Sequence, residues 1–443
     1  MRKQKLQNRR AFVRTLAGSI GAASLPAWLQ AEDDTLRPPQ KPSGIPTIWI
    51  GGVTPESGVV KTKLPPGTPC KLYLLAPGEA PLVFAPEPGT HSPVTTFRPS
   101  GLAPGTTYTC TLEVLGQPAT YPPAVLRTFP PAGRAASFAF AFSSCARTGS
   151  EHPVFSTIEQ RRPAFFLHLG DLHYSNITRN DPRYYRAAWD TVLSSATQGS
   201  LYRNVPFVHI WDDHDFGPND SDRRAPGSPA ARAAFREYAP HYPLAAGDGD
   251  AAIYHAFSLG RVRFLLTDLR SERTPEKLPD GAAKTMMGAA QKAWFLRELL
   301  ESSRTHALVF WGSSVPWIGS GKGGDAWANY ATERAEIANF IAANGIRNLC
   351  ILCGDAHMIA ADDGTNSDYS TAGGAHIPVL HGSALDQGGS YKGGPYSHGH
   401  YLPTGGEGCF GWVEVKDDGA SVTVDFSGRN HEDIAKVELS FRV

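Results

Sequence analysis

Residues 166–174 read Phe-Leu-His-Leu-Gly-Asp-Leu-His-Tyr, a short apolar run that stops at a glycine and then delivers Asp171 and Tyr174. A short apolar run bounded by a turn signal is typical of a buried β-strand. In open α/β sheets the functional crevice lies outside the carboxyl ends of the strands. The stretch therefore predicts a strand whose end carries functional side chains.

Four further apolar runs of the chain end in the same way. In chain order they deliver Cys145, then Asp212 to Asp215, then Asp268, and finally Asp355 with His357. One Asp after a strand is usually a helix cap or a turn residue. Five strand ends that deliver carboxylate, imidazole or thiol groups are hard to explain by capping alone, so we interpret them as one site.

Two kinds of pattern divide the chain. Residues 45–130 contain short alternating runs separated by turn signals, which predicts a small β-sandwich of the immunoglobulin or fibronectin type. Residues 131–443 alternate apolar strands with helical patterns, which predicts an α/β layer domain. The expected fold class is therefore mixed α+β and α/β, and a length of 443 residues agrees with two domains.

The N-terminus has the features of an export signal. Arg9-Arg10 precedes Phe-Val-Arg and an apolar stretch that ends near Ala31, so we interpret residues 1–31 as a twin-arginine signal peptide and residues 32–44 as a linker. The alternative is an ordinary basic first helix. No segment is apolar and long enough to span a membrane. We expect the twin-arginine export machinery as a partner, and a periplasmic or secreted protein without an integral membrane segment.

The charge balance argues against a nucleic-acid-binding protein, and the cysteine content raises the question of disulfides. The 42 basic residues balance the 42 acidic residues, so no overall field favours nucleic acid. Six cysteines permit disulfides in an exported protein. Cys70 and Cys110 lie in two strand-like runs, and the sequence leaves open both a bridge between them and two free thiols. Cys350 and Cys353 should face opposite sides of one strand, so we interpret them as core residues.

Three short motifs resemble a known superfamily. They are Gly170-Asp171-Leu-His-Tyr174, Asp213-His214-Asp215 and Gly354-Asp355-Ala-His357. They are similar to blocks of the calcineurin-like and purple-acid-phosphatase-like metallophosphoesterases. Two substitutions narrow the resemblance: Cys145 stands in place of the usual first Asp, and Trp-Asp-Asp-His-Asp stands in place of Gly-Asn-His-Glu. With them the chain resembles the alkaline phosphatase D (PhoD-like) family over nearly its whole length.

The resemblance implies a fold and a reaction. The fold is an N-terminal β-sandwich followed by a four-layer αββα metallophosphoesterase domain. The reaction is hydrolysis of phosphomonoesters, phosphodiesters or both by a metal-bound hydroxide, in an exported enzyme whose partner is a phosphate-ester substrate.

The resemblance also implies two unlike metal sites. The ligands expected in the first are Cys145, Asp171, Tyr174 and His357. This mixed donor set suits a transition metal, which in the resembling family is ferric iron (Fe3+). The second site shares Asp171 and adds Asp213 and Asp355, an all-oxygen set that favours calcium (Ca2+).

Two further residues are catalytic candidates. His214 directly follows a ligand, so we expect it to contact phosphate or to protonate the leaving group; the alternative is a histidine that steadies Asp213. Arg270 matches the family's arginine at its strand end and is a candidate phosphate fork. The alternative for Arg270 is an ion pair.

Two other functions are compatible with the sequence. The first is a non-catalytic metal-containing binding protein, against which the complete ligand set argues. The second is a mononuclear zinc (Zn2+) hydrolase, because cysteine and histidine are good zinc ligands.

Overall fold

The structure is a computed structural model that describes residues 47–88, 92–118, 122–319 and 325–443. The predicted signal peptide, residues 1–31, and the predicted linker, residues 32–44, lie outside the described residues. Within the described part of the chain, every helix is too short or too polar to cross a bilayer.

Strands dominate the described residues. The strands are β1 (Ile48–Gly51), β2 (Val59–Lys63), β3 (Cys70–Leu75), β4 (Leu82–Phe84), β5 (Val94–Phe97), β6 (Thr107–Val114), β7 (Gln117–Pro118), β8 (Ala124–Arg127), β9 (Phe138–Ser143), β10 (Phe166–His168), β11 (Phe207–His209), β12 (His255–Leu259), β13 (Val262–Leu266), β14 (Leu308–Ser313), β15 (Leu349–Cys353), β16 (Ile359–Asp362), β17 (Val379–Gly382), β18 (His400–Tyr401), β19 (Cys409–Asp417), β20 (Val422–Asn430) and β21 (Ala435–Arg442). The helices are α1 (Pro153–Gln160), α2 (Pro182–Ser194), α3 (Ala196–Asn204), α4 (Asp213–Phe216), α5 (Ser228–Tyr238), α6 (Gly288–Thr305) and α7 (Ala331–Ala343), with a 3-10 turn at Trp327–Tyr330.

Two large sheets carry the site. The first has nine strands in the order β21-β20-β19-β9-β10-β11-β1-β2-β5, and the second has seven in the order β12-β13-β14-β15-β17-β16-β18. In the first sheet β9, β10 and β11 are parallel neighbours. In the second, β13, β14, β15 and β17 are parallel neighbours. Each sheet therefore has an edge at which several carboxyl ends lie side by side.

The two sheets face each other across an aromatic core. Phe140 of β9 contacts Phe264 of β13 and Phe310 of β14 edge to face, with ring centroids 5.4 and 5.3 Å apart. Such pairs add to the free energy gained by burying the rings. Cys350 belongs to this inner core, whereas Cys353 belongs to the core on the other side of its strand, which confirms their interpretation as core residues on opposite faces.

Helices cover the outer faces of both sheets. On the nine-stranded sheet α1 packs against β19 and α3 against β1, and on the seven-stranded sheet α6 packs against β13 and β14. Helix α7 joins the outer core of the second sheet through Ile337 and Ile341, which share a cluster with Trp311. The predicted four-layer αββα arrangement is confirmed.

The N-terminal region is rich in strands, as predicted, but its strands divide between two sheets. Strands β3, β4, β6, β7 and β8 form a five-stranded sheet of their own, whereas β1, β2 and β5 extend the nine-stranded sheet. The link is the parallel pairing of β1 with β11. The described residues belong to one compact unit, and a domain boundary near residue 130 stays a prediction.

The proposed bridge between Cys70 and Cys110 is wrong. Strands β3 and β6 are neighbours in one sheet, with Cys70 opposite Val114 and Cys110 opposite Leu74. This register offsets the two cysteines by four residues, about 13 Å along the strands. A disulfide needs Cα atoms within about 7 Å, and both cysteines are buried free thiols.

Candidate active site at the strand ends

The carboxyl ends of the parallel strands bring the predicted residues together. Cys145 follows β9, Asp171 follows β10 and Asp213 follows β11, all in the nine-stranded sheet. Asp355 and His357 follow β15 in the seven-stranded sheet. Because the two sheets pack face to face, both sets of strand ends lie at one site.

The backbone at these strand ends is strained. Cys145, Asp171, Asp355 and His357 have φ angles of 63°, 57°, 59° and 49°, in the left-handed region that residues with a Cβ seldom adopt. Strain of this kind costs free energy and clusters at functional sites. Four of the predicted ligands therefore lie in turns that local sequence preference alone does not favour.

The glycines before two of the aspartates allow these turns. A Cβ on Gly170 would lie 2.6 Å from the amide nitrogen of Asp212, and one on Gly354 would lie 2.7 Å from the carbonyl oxygen of Leu169. Both distances are shorter than van der Waals contact allows. The Gly-Asp pair in each motif is thus a packing requirement as well as a turn signal.

One cluster contains a thiol, a carboxylate, a phenol and an imidazole. The thiol of Cys145 lies 3.5 Å from Asp171 Oδ2, to which the hydroxyl of Tyr174 donates at 2.9 Å. The same hydroxyl lies 3.2 Å from His357 Nε2. Ligand atoms of Cys145, Asp171 and His357 all lie within 4.8 Å of one another. Two ligands of one metal ion lie at most about 4.6 Å apart, so this cluster is close to the geometry of a bound ion.

His357 has the tautomer that would let it bind a metal ion through Nε2. Its Nδ1 lies 2.9 Å from the carbonyl oxygen of Gly388, which can only accept a hydrogen bond, so Nδ1 carries the proton and Nε2 has a free lone pair. Burial lowers the pKa of His357 to about 4. The ring is therefore neutral near pH 7, as a metal ligand must be.

The charges of this cluster conflict unless a cation is present. Burial raises the pKa of Cys145 well above its ordinary value, and Asp171 and Asp355 raise it further. Burial and then the charge of Asp213 raise the pKa of Asp171. Burial, Asp171 and Cys145 do the same for Tyr174. A multivalent cation among these groups would reverse each shift, because it stabilises every anionic form at once.

A second cluster surrounds Asp213. Ligand atoms of Asp171, Asp213 and His214 lie within 4.8 Å of one another, as do those of Asp212, Asp213 and Asp325. The amides of His214 and Asp220 donate to Asp213 at 2.9 and 2.6 Å. Asp213 is therefore fixed beside Asp171, which agrees with a carboxylate shared between two cations.

Asp355 lies at the same site but in a different pairing. Among the described residues, Asp355 belongs to none of the groups of three potential ligands whose ligand atoms lie within 4.8 Å of one another. Its Oδ1 accepts a hydrogen bond from Lys392 Nζ at 2.6 Å. Its Oδ2 is buried without a hydrogen-bond partner among the described residues, which leaves one oxygen for a cation.

His214 is oriented by two contacts. Its Nδ1 lies 2.6 Å from the amide oxygen of Asn176, so Nδ1 donates and Nε2 is left for another partner. Its ring lies on that of Tyr174, with centroids 4.1 Å apart. Its backbone amide, rather than its side chain, donates to Asp213.

Arg270 is buried beneath the site and is already paired. It is 0% exposed, and its guanidinium binds Asp212, with an Nε to Oδ1 distance of 2.7 Å, and Asp325. The guanidinium also donates to the carbonyl oxygen of Ser221 at 3.2 Å. The observed contacts of Arg270 are therefore those of the alternative interpretation, an ion pair, although this ion pair is buried and not at the surface. A phosphate contact by Arg270 stays a prediction that would require these pairs to separate.

Sequence reasoning missed three residues of this site. Asp215, in the motif Asp213-His214-Asp215, is not among the predicted ligands or catalytic residues, and it accepts the amides of Asp171 and Leu172. Asp325, which follows no predicted strand, pairs with Arg270 and Arg273. Lys392 lies in a glycine-rich segment, Gly388-Gly-Ser-Tyr-Lys-Gly-Gly394, and that composition was the one available signal of a tight loop near a ligand.

The residues present fit bound metal ions. The unpartnered Asp355 Oδ2 and the charge conflict around Asp171 both call for a cation. The donor set of Cys145, Tyr174 and His357 is one that transition metals accept, whereas Asp213 and Asp355 offer oxygen only. The arrangement can therefore hold two cations of different character that share Asp171.

Comparison with known proteins agrees with a metal-binding site at these residues. The family model described as PhoD-like phosphatase matches residues 140–398. The chain belongs to the PhoD-like phosphatase family. This membership makes the protein a metal-dependent phosphoesterase, a phosphoric ester hydrolase, and it confirms the resemblance seen in the motifs. This membership favours an enzyme over the alternative of a non-catalytic metal-containing binding protein.

Solved structures show the same fold. A structure of PhoD is 17% identical with a TM-score of 0.68, and the match covers 90% of this chain and 91% of that chain. A purple acid phosphatase from yellow lupin (Lupinus luteus) seeds is 12% identical with a TM-score of 0.60, over 89% of this chain and 74% of that chain. No curated protein sequence matches the chain.

Proposed function

We propose that this PhoD-like phosphatase hydrolyses phosphomonoesters, phosphodiesters or both with two unlike metals. Cys145, Asp171, Tyr174 and His357 would hold Fe3+. Asp171, Asp213 and Asp355 would hold Ca2+. The observation that carries the proposal is the convergence of the Cys145 thiol and the Tyr174 phenol on Asp171, with His357 Nε2 3.2 Å from the same phenol oxygen.

The metals would supply Lewis-acid stabilisation of the charge that develops on the phosphoryl oxygens. The protein's own residues would then position the ester and move a proton. His214 has Nε2 free because Nδ1 is bound to Asn176. Only the protonated ring carries a proton on Nε2, and because burial lowers the pKa of His214, that form would give this proton up readily to a leaving oxygen.

Metal content and turnover, measured together, test this proposal. Wild-type protein should contain iron and calcium and should release nitrophenol from p-nitrophenyl phosphate or bis(p-nitrophenyl) phosphate. Asp171→Asn should lower kcat/KM by at least about 100-fold, because it weakens both metal sites. Asp190→Asn is the control, because Asp190 is paired with Lys63 away from the site.

Two results would contradict parts of the proposal. Equal turnover by wild type and Asp171→Asn would show that the reaction occurs elsewhere. Zinc alone, with neither iron nor calcium, would assign the mononuclear zinc hydrolase instead.

The sequence motif at residues 9–14 supports export by the twin-arginine route to the periplasm or the medium. We expect the double change Arg9→Lys, Arg10→Lys to retain the full-length protein in the cytoplasm. Cell fractionation followed by immunoblotting measures this. Equal amounts of processed protein outside the cytoplasm for both forms would contradict the export proposal and leave the enzymatic one intact.

A further inference from the structure

Lys392 lies at the rim of the site, where it is both paired with Asp355 and partly exposed to solvent. Lys392 donates to Asp355 Oδ1 at 2.6 Å, yet 31% of its side chain stays exposed. Among the residues that the structure describes, the other cations beside the site carboxylates are Arg270 and Arg273, which are 0% and 1% exposed and share Asp325. Of these three, Lys392 alone can reach a bound ligand without losing a buried ion pair.

The loop that carries Lys392 is fixed to the metal-ligand turn by its backbone. The carbonyl of Gly388 accepts from His357 Nδ1 at 2.9 Å, and the amide of Ser390 donates to the carbonyl oxygen of His357 at 3.2 Å. After the lysine, the hydroxyl of Tyr396 donates to the carbonyl of Lys392 at 2.9 Å. The ammonium group is therefore positioned before any ligand arrives, which reduces the entropy lost on binding.

A glycine in this loop allows its close approach to the site. A Cβ on Gly393, whose φ is 78°, would lie 2.1 Å from the carbonyl oxygen of Ile318. A side chain at position 393 would force the loop away from the segment after β14. The backbone geometry thus serves to hold residue 392 at the rim.

We infer that Lys392 binds a non-bridging oxygen of the substrate's phosphate and thereby favours dianionic monoesters over monoanionic diesters. The inference rests on the proposed function, because it places the phosphate at the same site. Asp355 would keep Oδ1 on Lys392 while its free Oδ2 faces a cation. An ammonium is a compact point charge that recognises phosphate without demanding bidentate geometry. Its attraction grows with the charge of the ligand, so a dianion gains more than a monoanion.

Direct binding of inorganic phosphate tests the inference without relying on turnover. Calorimetric titration of the metal-loaded protein should show a Kd for phosphate about tenfold or more higher in Lys392→Met, the effect of losing one charge-assisted hydrogen bond. Lys392→Arg should recover part of the affinity. Lys392→Gln is a second variant with the same expectation should Lys392→Met fail to fold.

Lys63→Met is the matched control for lost charge. Lys63 also pairs with an aspartate, Asp190, and its side chain is 32% exposed, but it lies on β2 away from the site. We expect its phosphate Kd to equal that of the wild type. Kinetics provide the selectivity readout, in which Lys392→Met raises KM for a monoester more than KM for a diester.

An unchanged phosphate Kd in Lys392→Met and Lys392→Gln would overturn the inference, whatever the metal content of the variants. Lys392 would then serve only to neutralise Asp355. An equal rise of both KM values would overturn the selectivity for monoesters. Failure of the proposed function would be seen separately, as wild-type protein that hydrolyses no phosphate ester.

Discussion

Asp215 holds the turn that contains Asp171. Its Oδ2 accepts the amides of Asp171 at 2.7 Å and Asp212 at 3.0 Å, and its Oδ1 accepts the amide of Leu172 at 2.8 Å. Asp171 has a φ of 57°, a conformation that surrounding contacts must maintain. We predict that Asp215→Ala lowers both the stability and the metal content of the protein.

The size of the effect follows from these contacts. A buried amide left without an acceptor costs about 1–3 kcal/mol. Three such amides sum to about 3–9 kcal/mol, and relaxation or an entering water recovers part of this sum. We expect a loss of about 3–5 kcal/mol, which a protein with a free energy of unfolding of about 5–15 kcal/mol can survive.

A matched variant separates lost stability from lost metal. Glu333 on α7 is also buried, and it accepts the hydroxyl of Thr285 at 2.7 Å and the amide of Met286 at 2.5 Å. Urea unfolding in excess chelator gives the stability of each metal-free variant, and elemental analysis gives metal content. Both variants should be destabilised, but only Asp215→Ala should lose metal affinity, by about 10- to 100-fold. Full metal content in Asp215→Ala, or an equal loss in Glu333→Ala, would refute the reasoning.

Three further predictions concern other parts of the molecule. Burial lowers the pKa of Lys61 from 10.5 to about 8, so between these pH values the folded protein binds fewer protons than the unfolded chain. The contribution of Lys61 to the free energy of unfolding should therefore rise with pH across that window; urea titrations at pH 8 and 10 should show that the stability of wild type relative to Lys61→Met rises between the two pH values. Tyr174→Phe should change the visible absorption of iron-loaded protein, because it would remove the proposed phenolate ligand, and an unchanged spectrum would argue against this ligation. Cys70 and Cys110 should both react with an alkylating reagent in denatured, unreduced protein, and mass spectrometry that finds them linked would contradict the strand register.

The sequence by itself predicted the side chains of the candidate site and the edge of the sheet on which they lie. A Gly-Asp pair after an apolar run, as at Asp171 and Asp355, is a local signal, because strand length, turn and ligand lie within a few residues of one another. Several such runs in one α/β pattern also predicted the layered fold. This information is local in the chain, so the sequence alone was sufficient.

Only the tertiary structure decided the partners of each charge. Whether Arg270 faces a substrate or Asp325 depends on segments 55 residues apart, and the approach of Lys392 to Asp355 depends on how a loop packs. Cys70 and Cys110 failed to meet because β3 and β6 pair in a register four residues off. Register and side-chain pairing arise from long-range packing, and no short stretch of sequence encodes them.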